Sequence, residues 1–96
     1  MTHTFIARMK VFPDKEAKFI DACERMEKAV DANEPDALIY KFYRLREQHC
    51  FAVIESFKDE SADEAHQESE HFKRIVPDML ECLDGGYVRE YLDPLK

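Results

Sequence analysis

The chain has too few cysteines, spaced too widely, for a cross-linked or cysteine–zinc fold. Its three cysteines, Cys23, Cys50 and Cys82, form no CxxC pair. An odd number of distant cysteines favours buried, inert thiols over a disulfide framework. Such cysteine usage is typical of a reducing compartment, so we expect a cytoplasmic protein.

Positive charge and long apolar runs are also scarce. Lysine and arginine number 14 against 21 acidic residues, giving a formal net charge of −7. This charge disfavours binding to nucleic acid or anionic lipid. No apolar run approaches the roughly 20 residues that a membrane helix needs, and MTHTFIARMK lacks the apolar core of a signal peptide. We therefore expect no nucleic-acid partner, no membrane span and no secretion leader.

Apolar residues make up 45% of the 96 residues, enough for the core of one domain spanning residues 1–96. Apolar and polar residues alternate over residues 3–11, which predicts a strand. A stripe with helical spacing predicts a helix from about residue 15 to 32. Residues 37–46 and 50–57 are rich in aromatic and branched side chains, and the short polar link between them predicts an antiparallel hairpin.

The second half of the chain repeats a helix and a strand. A helix is predicted from Asp59 to about residue 70, capped by Asp59 or by Ser61. Pro77 predicts a break or kink near residues 74–76 in the apolar stripe that follows. Residues 87–92 predict the last strand. This order, with right-handed crossovers, predicts an α+β ferredoxin-like βαββαβ plait, in which helices cover one face of a four-stranded antiparallel sheet.

The first strand of the hairpin is apolar on both of its faces. Ile39 and Tyr43 lie on one face, and Tyr40 and Phe42 lie on the other. A strand of this kind needs cover on both sides. Helices can cover one side, and in a small chain a second copy is the best cover for the other. The sequence therefore predicts a homodimer.

Three segments carry a family likeness: NEPDALIYKFYR at 33–44, FAVIESFKDESADEAH at 51–66 and SEHF at 69–72. Together they resemble the antibiotic biosynthesis monooxygenase (ABM) domain family of small dimeric α+β barrel proteins. The resemblance implies that fold, a homodimer and a small-molecule substrate. The family includes cofactor-free oxygenases of quinols and polyketide phenols, haem-degrading enzymes and an isomerase of a small phosphorylated signal.

The chain departs from part of the family's pattern because it contains no tryptophan. The haem degraders rely on a tryptophan, and some of the family's oxygenases use one together with an asparagine. Residues 72–79, FKRIVPDM, also offer no axial haem ligand. We therefore expect no haem degradation. Since the chain carries no flavin, haem or metal motif, we also expect no cofactor.

The stretch EAHQESEHF, residues 64–72, holds two of the four histidines, His66 and His71. Five residues of regular helix turn about 500°, which leaves these side chains roughly 140° apart. One helix cannot then direct both to one ion, unlike the i, i+4 pair of HExxH. We expect no metal site, and we expect His71 at a rim or on the surface.

His66 lies on the inward stripe of its helix, where Ala62 and Ala65 leave room for a pocket, and it matches the family's histidine. An imidazole there could take a substrate's proton near neutral pH. His66 is therefore the candidate catalytic residue. The alternative is a core histidine bonded to a backbone carbonyl or to Glu55.

Six further residues are candidates for substrate binding: Asn33, Tyr40, Tyr43, Arg44, Glu55 and Phe72. Several of them have structural alternatives. The asparagine suits a helix C-terminus, the tyrosines suit packing or an interface, and Glu55 could pair with Lys41 across the hairpin.

The function that these residues and the resemblance favour is a cofactor-independent monooxygenase of a small aromatic or quinol-like substrate. Two alternatives stay open. One is a non-catalytic dimeric module for small-molecule binding or stress response. The other is an isomerase of a small metabolite, which would need more cationic groups in the pocket.

Overall fold

A computed structural model describes residues 1–96 and confirms the predicted α+β plait. Its elements are β1 (His3–Lys10), α1 (Glu16–Asn33), β2 (Ala37–Arg44), β3 (Cys50–Phe57), α2 (Glu60–Glu68), α3 (Glu70–Leu80) and β4 (Arg89–Tyr91), with a 3-10 turn at Pro13–Lys15. All strands pair antiparallel in the order β2-β3-β1-β4. None of the helices has the length and apolar character needed to cross a membrane.

The core lies between the helices and one face of the sheet. Phe19 and Met26 of α1 and Ile75 of α3 are buried there against Ala7 and other side chains of the central strands. Each fully buried large apolar side chain contributes roughly 1.5–3 kcal/mol. The three cysteines are buried and unpaired, as the sequence predicts.

The second helical region breaks at a different place from the predicted one. No break occurs near residues 74–76, because α3 continues through Pro77 to Leu80. Ile75 and Met79, on either side of the proline, are buried in the core, and this packing retains the helix. The proline removes one backbone hydrogen bond, which the buried contacts offset.

The observed break lies at Ser69, which has extended backbone angles between α2 and α3. Its hydroxyl donates to the His66 carbonyl at 2.6 Å and accepts the Phe72 N–H at 3.2 Å. Ser69 is therefore the N-cap of a new helix. At the start of α2 the cap is Asp59, whose carboxylate accepts the Ala62 N–H at 2.9 Å.

The hairpin strand β2 presents two different faces. Tyr40 and Phe42 pack towards the helices, whereas Ile39 and Tyr43 remain 47% and 44% exposed on the opposite face. That opposite face also carries Ile54 of β3, which is half-buried. One chain alone thus leaves an apolar strip of the sheet open to solvent.

Candidate functional site

The break at Ser69 brings the two histidines of EAHQESEHF to a single carboxylate. His66 Nδ1 lies 2.8 Å from Glu34 Oε2 and 3.0 Å from Oε1, and His71 Nε2 hydrogen-bonds to Glu34 Oε2. The expectation that the two side chains diverge is wrong, because it assumed one continuous helix. His71 is only 9% exposed, so it does not lie on the open surface, but it lines a cleft.

Glu34 reaches this position because it ends α1. Its backbone N–H donates to the Val30 carbonyl at 2.8 Å, and Pro35 then turns the chain away from the helix. An ionised carboxylate can only accept hydrogen bonds, so both imidazole nitrogens that face it are donors. The carboxylate thus fixes the tautomer of His66, with the proton on Nδ1 and the lone pair on Nε2.

His66 is 2% exposed and lies among aromatic rings. Its ring centroid is 5.1 Å from that of Tyr40, 5.4 Å from Phe57 and 4.9 Å from Phe72. Its Nε2 lies on the side of the sheet, 4.0 Å from Glu55 Oε1. The alternative of a bond to a backbone carbonyl is wrong, since the bonded partner is Glu34, a residue that the sequence reasoning missed.

Glu55 is a buried carboxyl group without a complete set of partners. It is 8% exposed, and its Oε1 accepts no hydrogen bond. Burial raises the pKa of Glu55 to about 8; the charge of Arg89 opposes the rise, and Asp63 and Glu34 add to it. Near neutral pH the group is therefore mostly protonated.

The expected ion pair between Glu55 and Lys41 is wrong. The register pairs Tyr40 with Glu55 and Lys41 with Ile54. The turn is centred half a residue earlier than Gln48, and this moves the pairing by one position. A shift of one residue exchanges the faces of a strand, so Lys41 points to the open face.

Beside Glu55 lies a second polar cluster around Asp63, which is 3% exposed. Its carboxylate accepts hydrogen bonds from Arg89 at 2.6 and 3.3 Å, from Gln67 at 3.1 Å and from His3 at 3.0 Å. Burial by itself would raise the pKa of Asp63, but the hydrogen bonds from Arg89 and Gln67 hold it below its ordinary value. These hydrogen bonds hold β4 against α2 and place the positive charge of Arg89 near Glu55.

Two spaces lie near His66, and its side chain lines one of them. The outer one is a polar cleft of about 240 Å³, lined by residues that include Asn33, Glu34, Ala62, Ala65, His66 and His71. The inner one is an apolar groove with an enclosed volume of about 50 Å³. It runs past Tyr40 and Phe72, which pack on His66, towards Leu80 and Tyr87, which are about half exposed.

The predicted binding residues lie in three places: around His66, beside the outer cleft, and in a separate cleft beside α1. Tyr40, Phe72 and Glu55 surround His66. Burial raises the pKa of Tyr40 well above its ordinary value, so its hydroxyl stays protonated. Asn33 borders the outer cleft, but its amide donates to the Ala29 carbonyl at 2.8 Å, as a helix-end residue would.

Tyr43 and Arg44 are not brought to His66. They line a separate cleft of about 260 Å³ beside α1. Arg44 forms an ion pair with Glu16, which also bonds to His49 at 2.7 Å. A role for these two residues in substrate binding stays a prediction.

Comparison with known proteins gives a consistent picture. A sequence profile described as antibiotic biosynthesis monooxygenase (ABM) matches residues 2–78. The chain is similar to YcnE of Bacillus subtilis, a protein named as a proposed monooxygenase. The two are 31% identical over 79 residues, which is 82% of this chain and 83% of the relative.

Solved structures resemble the chain over nearly its whole length. A Caulobacter crescentus protein, proposed as an antibiotic biosynthesis monooxygenase, superposes with a TM-score of 0.91 and 29% identity, covering 99% of this chain and 91% of the other. A conserved protein from Methanosarcina mazei gives a TM-score of 0.87 and 27% identity, covering 96% and 91%.

Proposed function

Since the chain belongs to the antibiotic biosynthesis monooxygenase family, we propose that it is a monooxygenase that oxidises a small, electron-rich aromatic or quinol-like substrate without a cofactor. One observation carries this proposal. A buried histidine, oriented by a carboxylate through Nδ1, packs against Tyr40 and Phe72, and these two rings line an apolar groove. A dry groove with one fixed proton acceptor suits chemistry that begins by ionising a phenol.

In this proposal His66 Nε2 accepts the proton of the substrate's acidic O–H or C–H group. Glu34 holds the ring in place and stabilises the imidazolium that forms, as the carboxylate of a catalytic triad does. The resulting anion is electron-rich enough to reduce molecular oxygen. One oxygen atom enters the substrate, and the other leaves as water with two hydrogens that the substrate supplies.

The groups around His66 suit a substrate anion. The Tyr40 hydroxyl stays protonated and is a candidate donor to the anion. Glu55 is mostly neutral near pH 7, so it adds little negative charge beside the substrate. The enclosed part of the groove is smaller than the ~150 Å³ cavity that binds benzene. Binding therefore requires Leu80 and Tyr87, which are about half exposed at the groove's mouth, to move aside.

We further propose that two copies pair through the open face of the sheet. Leu38, Ile39 and Tyr43 are between 44% and 55% exposed on β2, and together they form an apolar patch that water would otherwise cover. Burial of such a patch is the usual driving force of association. Light scattering at micromolar concentration should give twice the mass of the 11.3 kDa chain, and a monomer would contradict this part of the proposal.

The experiment that tests the activity is oxygen uptake with a panel of quinols and hydroxyanthrones. The wild-type protein should consume oxygen with at least one of them, and His66→Ala should lose about 10²–10⁴-fold in rate, the range of a general base. His49→Asn is the matched control, because His49 also bonds to a carboxylate, but this carboxylate is that of Glu16 at the start of α1.

Asparagine tolerates the positive φ of 62° at position 49, so the control variant should fold. It should retain wild-type activity. If no electron-rich phenol is turned over while ligands still bind to His66→Ala, the protein is a binding module and the oxygenase proposal fails.

A further inference from the structure

We propose that Glu34, His66 and His71 form a binding site for one divalent transition-metal cation, with Glu55 as the outer carboxylate that orients His66. The inference goes beyond the proposed oxygenase activity and does not depend on it. It rests on the positions of these four side chains.

The first support is the donor set and its spacing. One ligand atom from each of Glu34, His66 and His71 lies within 4.8 Å of the other two, and Nδ1 of His66 and Nε2 of His71 both face Oε2 of Glu34. Zinc bonds to nitrogen and oxygen at about 2.0–2.2 Å, so the ligand atoms of a tetrahedral ion lie roughly 3.4 Å apart. Shifts of about 1 Å or less in these side chains would bring the three atoms to that separation.

The second support is the arrangement of the chain. The ligands come from the end of α1, from α2 and from the first turn of α3, so the tertiary fold already holds them together. His66 is buried, and His71 is 9% exposed. Side chains in such positions have little rotamer freedom left to lose when an ion binds.

The third support is the unpaired oxygen of Glu55. An ion on Nδ1 of His66 requires the lone pair there, so the proton of a neutral ring moves to Nε2. That nitrogen lies 4.0 Å from Glu55 Oε1, a buried oxygen with no hydrogen-bond partner. Metal-bound histidines characteristically donate their other N–H to a carboxyl or carbonyl oxygen. Oε1 of Glu55 is placed to accept it, because a carboxyl group keeps an accepting oxygen even when it is protonated.

The donor types indicate which cations fit. Two imidazoles and one carboxylate suit Zn²⁺, Fe²⁺, Co²⁺ or Ni²⁺, whereas Mg²⁺ and Ca²⁺ prefer oxygen ligands alone. The outer cleft of about 240 Å³ borders all three ligands and leaves room for water at an open coordination position. Three protein ligands and an open position are typical of an exchangeable site rather than a closed structural one.

Binding of a cation would also change the acid–base state of His66. With the ion on Nδ1 and the proton on Nε2, the ring has no free lone pair on the side of the sheet. It could then no longer accept a substrate proton, so Zn²⁺ should inhibit the proposed oxygenase. This consequence alone rests on the proposed function.

Two titrations of the EDTA-treated, desalted protein test the site without substrate or oxygen. Zn²⁺ binding is followed by calorimetry, and Co²⁺ binding is followed by the visible absorption of the bound ion. We expect one ion per chain and no response to Mg²⁺. His71→Ala should weaken binding at least 100-fold, and Glu55→Leu, which removes the accepting oxygen, should weaken it about 10–100-fold, as loss of an outer hydrogen-bond partner does. His3→Ala and His49→Asn are the matched controls and should bind as the wild type does, because each of these histidines pairs with one carboxylate and no second histidine.

A readout on the wild-type protein guards against variants that fail to fold. In ¹⁵N-edited NMR spectra of the imidazoles, Zn²⁺ should shift Nδ1 of His66 and Nε2 of His71 and leave His3 and His49 unchanged. The proposal is overturned if wild-type protein binds neither Zn²⁺ nor Co²⁺ at submillimolar concentration. It is also overturned if these two nitrogens do not shift, or if His71→Ala folds and binds as tightly as the wild type. None of these results would affect oxygen uptake by the metal-free protein, so the metal-site proposal and the oxygenase proposal can fail separately.

Discussion

Replacement of Glu55 by glutamine should make the protein more stable, by an amount that grows with pH. The carboxyl group is 8% exposed, and Tyr40 and His66 pack beside it. The charges that act on it are those of Arg89 from β4, Asp63 from α2 and Glu34 at the end of α1. Glutamine keeps the shape of the side chain and removes its ionisation.

The magnitude follows from the displaced pKa. Burial raises the pKa of Glu55 from 4.5 to about 8, so folding favours its protonated form. The stability that this group contributes is fully present below pH 4.5 and is lost as the pH rises through 8. Each pKa unit corresponds to about 1.4 kcal/mol, so complete ionisation costs about 5 kcal/mol. Between pH 5 and pH 9 the wild-type protein should lose about 4 kcal/mol relative to Glu55→Gln.

Urea unfolding of both proteins in EDTA at pH 5, 7 and 9 measures this difference. The difference in free energy of unfolding between Glu55→Gln and the wild type should be about 1 kcal/mol at pH 5 and should increase steadily towards pH 9. Glu90→Gln is the matched control, because this glutamate of β4 is exposed beside Arg8 and should show no such trend. A gap for Glu55→Gln that stays within 1 kcal/mol over the whole range would refute the reasoning, because the group would then ionise as it does in water.

Two further predictions concern the polar contacts that build the site. Ser69→Ala should lower the free energy of unfolding by about 0.5–2 kcal/mol, because it removes the N-cap of α3. Ser61→Ala should have little effect, since Asp59 caps α2. Equal losses of stability for the two variants in urea titrations would contradict this prediction. Arg89→Met should cost about 3–5 kcal/mol, because it leaves Asp63 buried without its main partner. The double variant with Asp63→Asn should recover part of that loss, and simple additivity of the two losses would show that the pair is not coupled.

The sequence was most informative where local periodicity decides the structure. Both ends of β3 follow from its aromatic and branched residues and the polar link before them. The helical stripe through Phe19 and Met26 follows from helical spacing. The fold then follows from the order of the elements, because connections of these lengths allow few arrangements.

The site was harder to predict because two local choices depend on tertiary contacts. Pro77 is a strong signal for a break, yet packing of Ile75 and Met79 retains the helix through it. Ser69 is a weaker signal, but its hydroxyl caps α3 and redirects His71. Glu34 lies 32 residues before His66 in the chain, and no spacing rule connects them.

The central claim, that His66 accepts a proton from an electron-rich substrate, is tested most directly without oxygen. Anaerobic stopped-flow mixing of a hydroxyanthrone with excess metal-free protein should develop the absorbance of the substrate anion with the wild type and His49→Asn. With His66→Ala it should not develop at the same pH. Equal formation of the anion by His66→Ala, or no anion with a wild-type protein that consumes oxygen normally, would contradict the account.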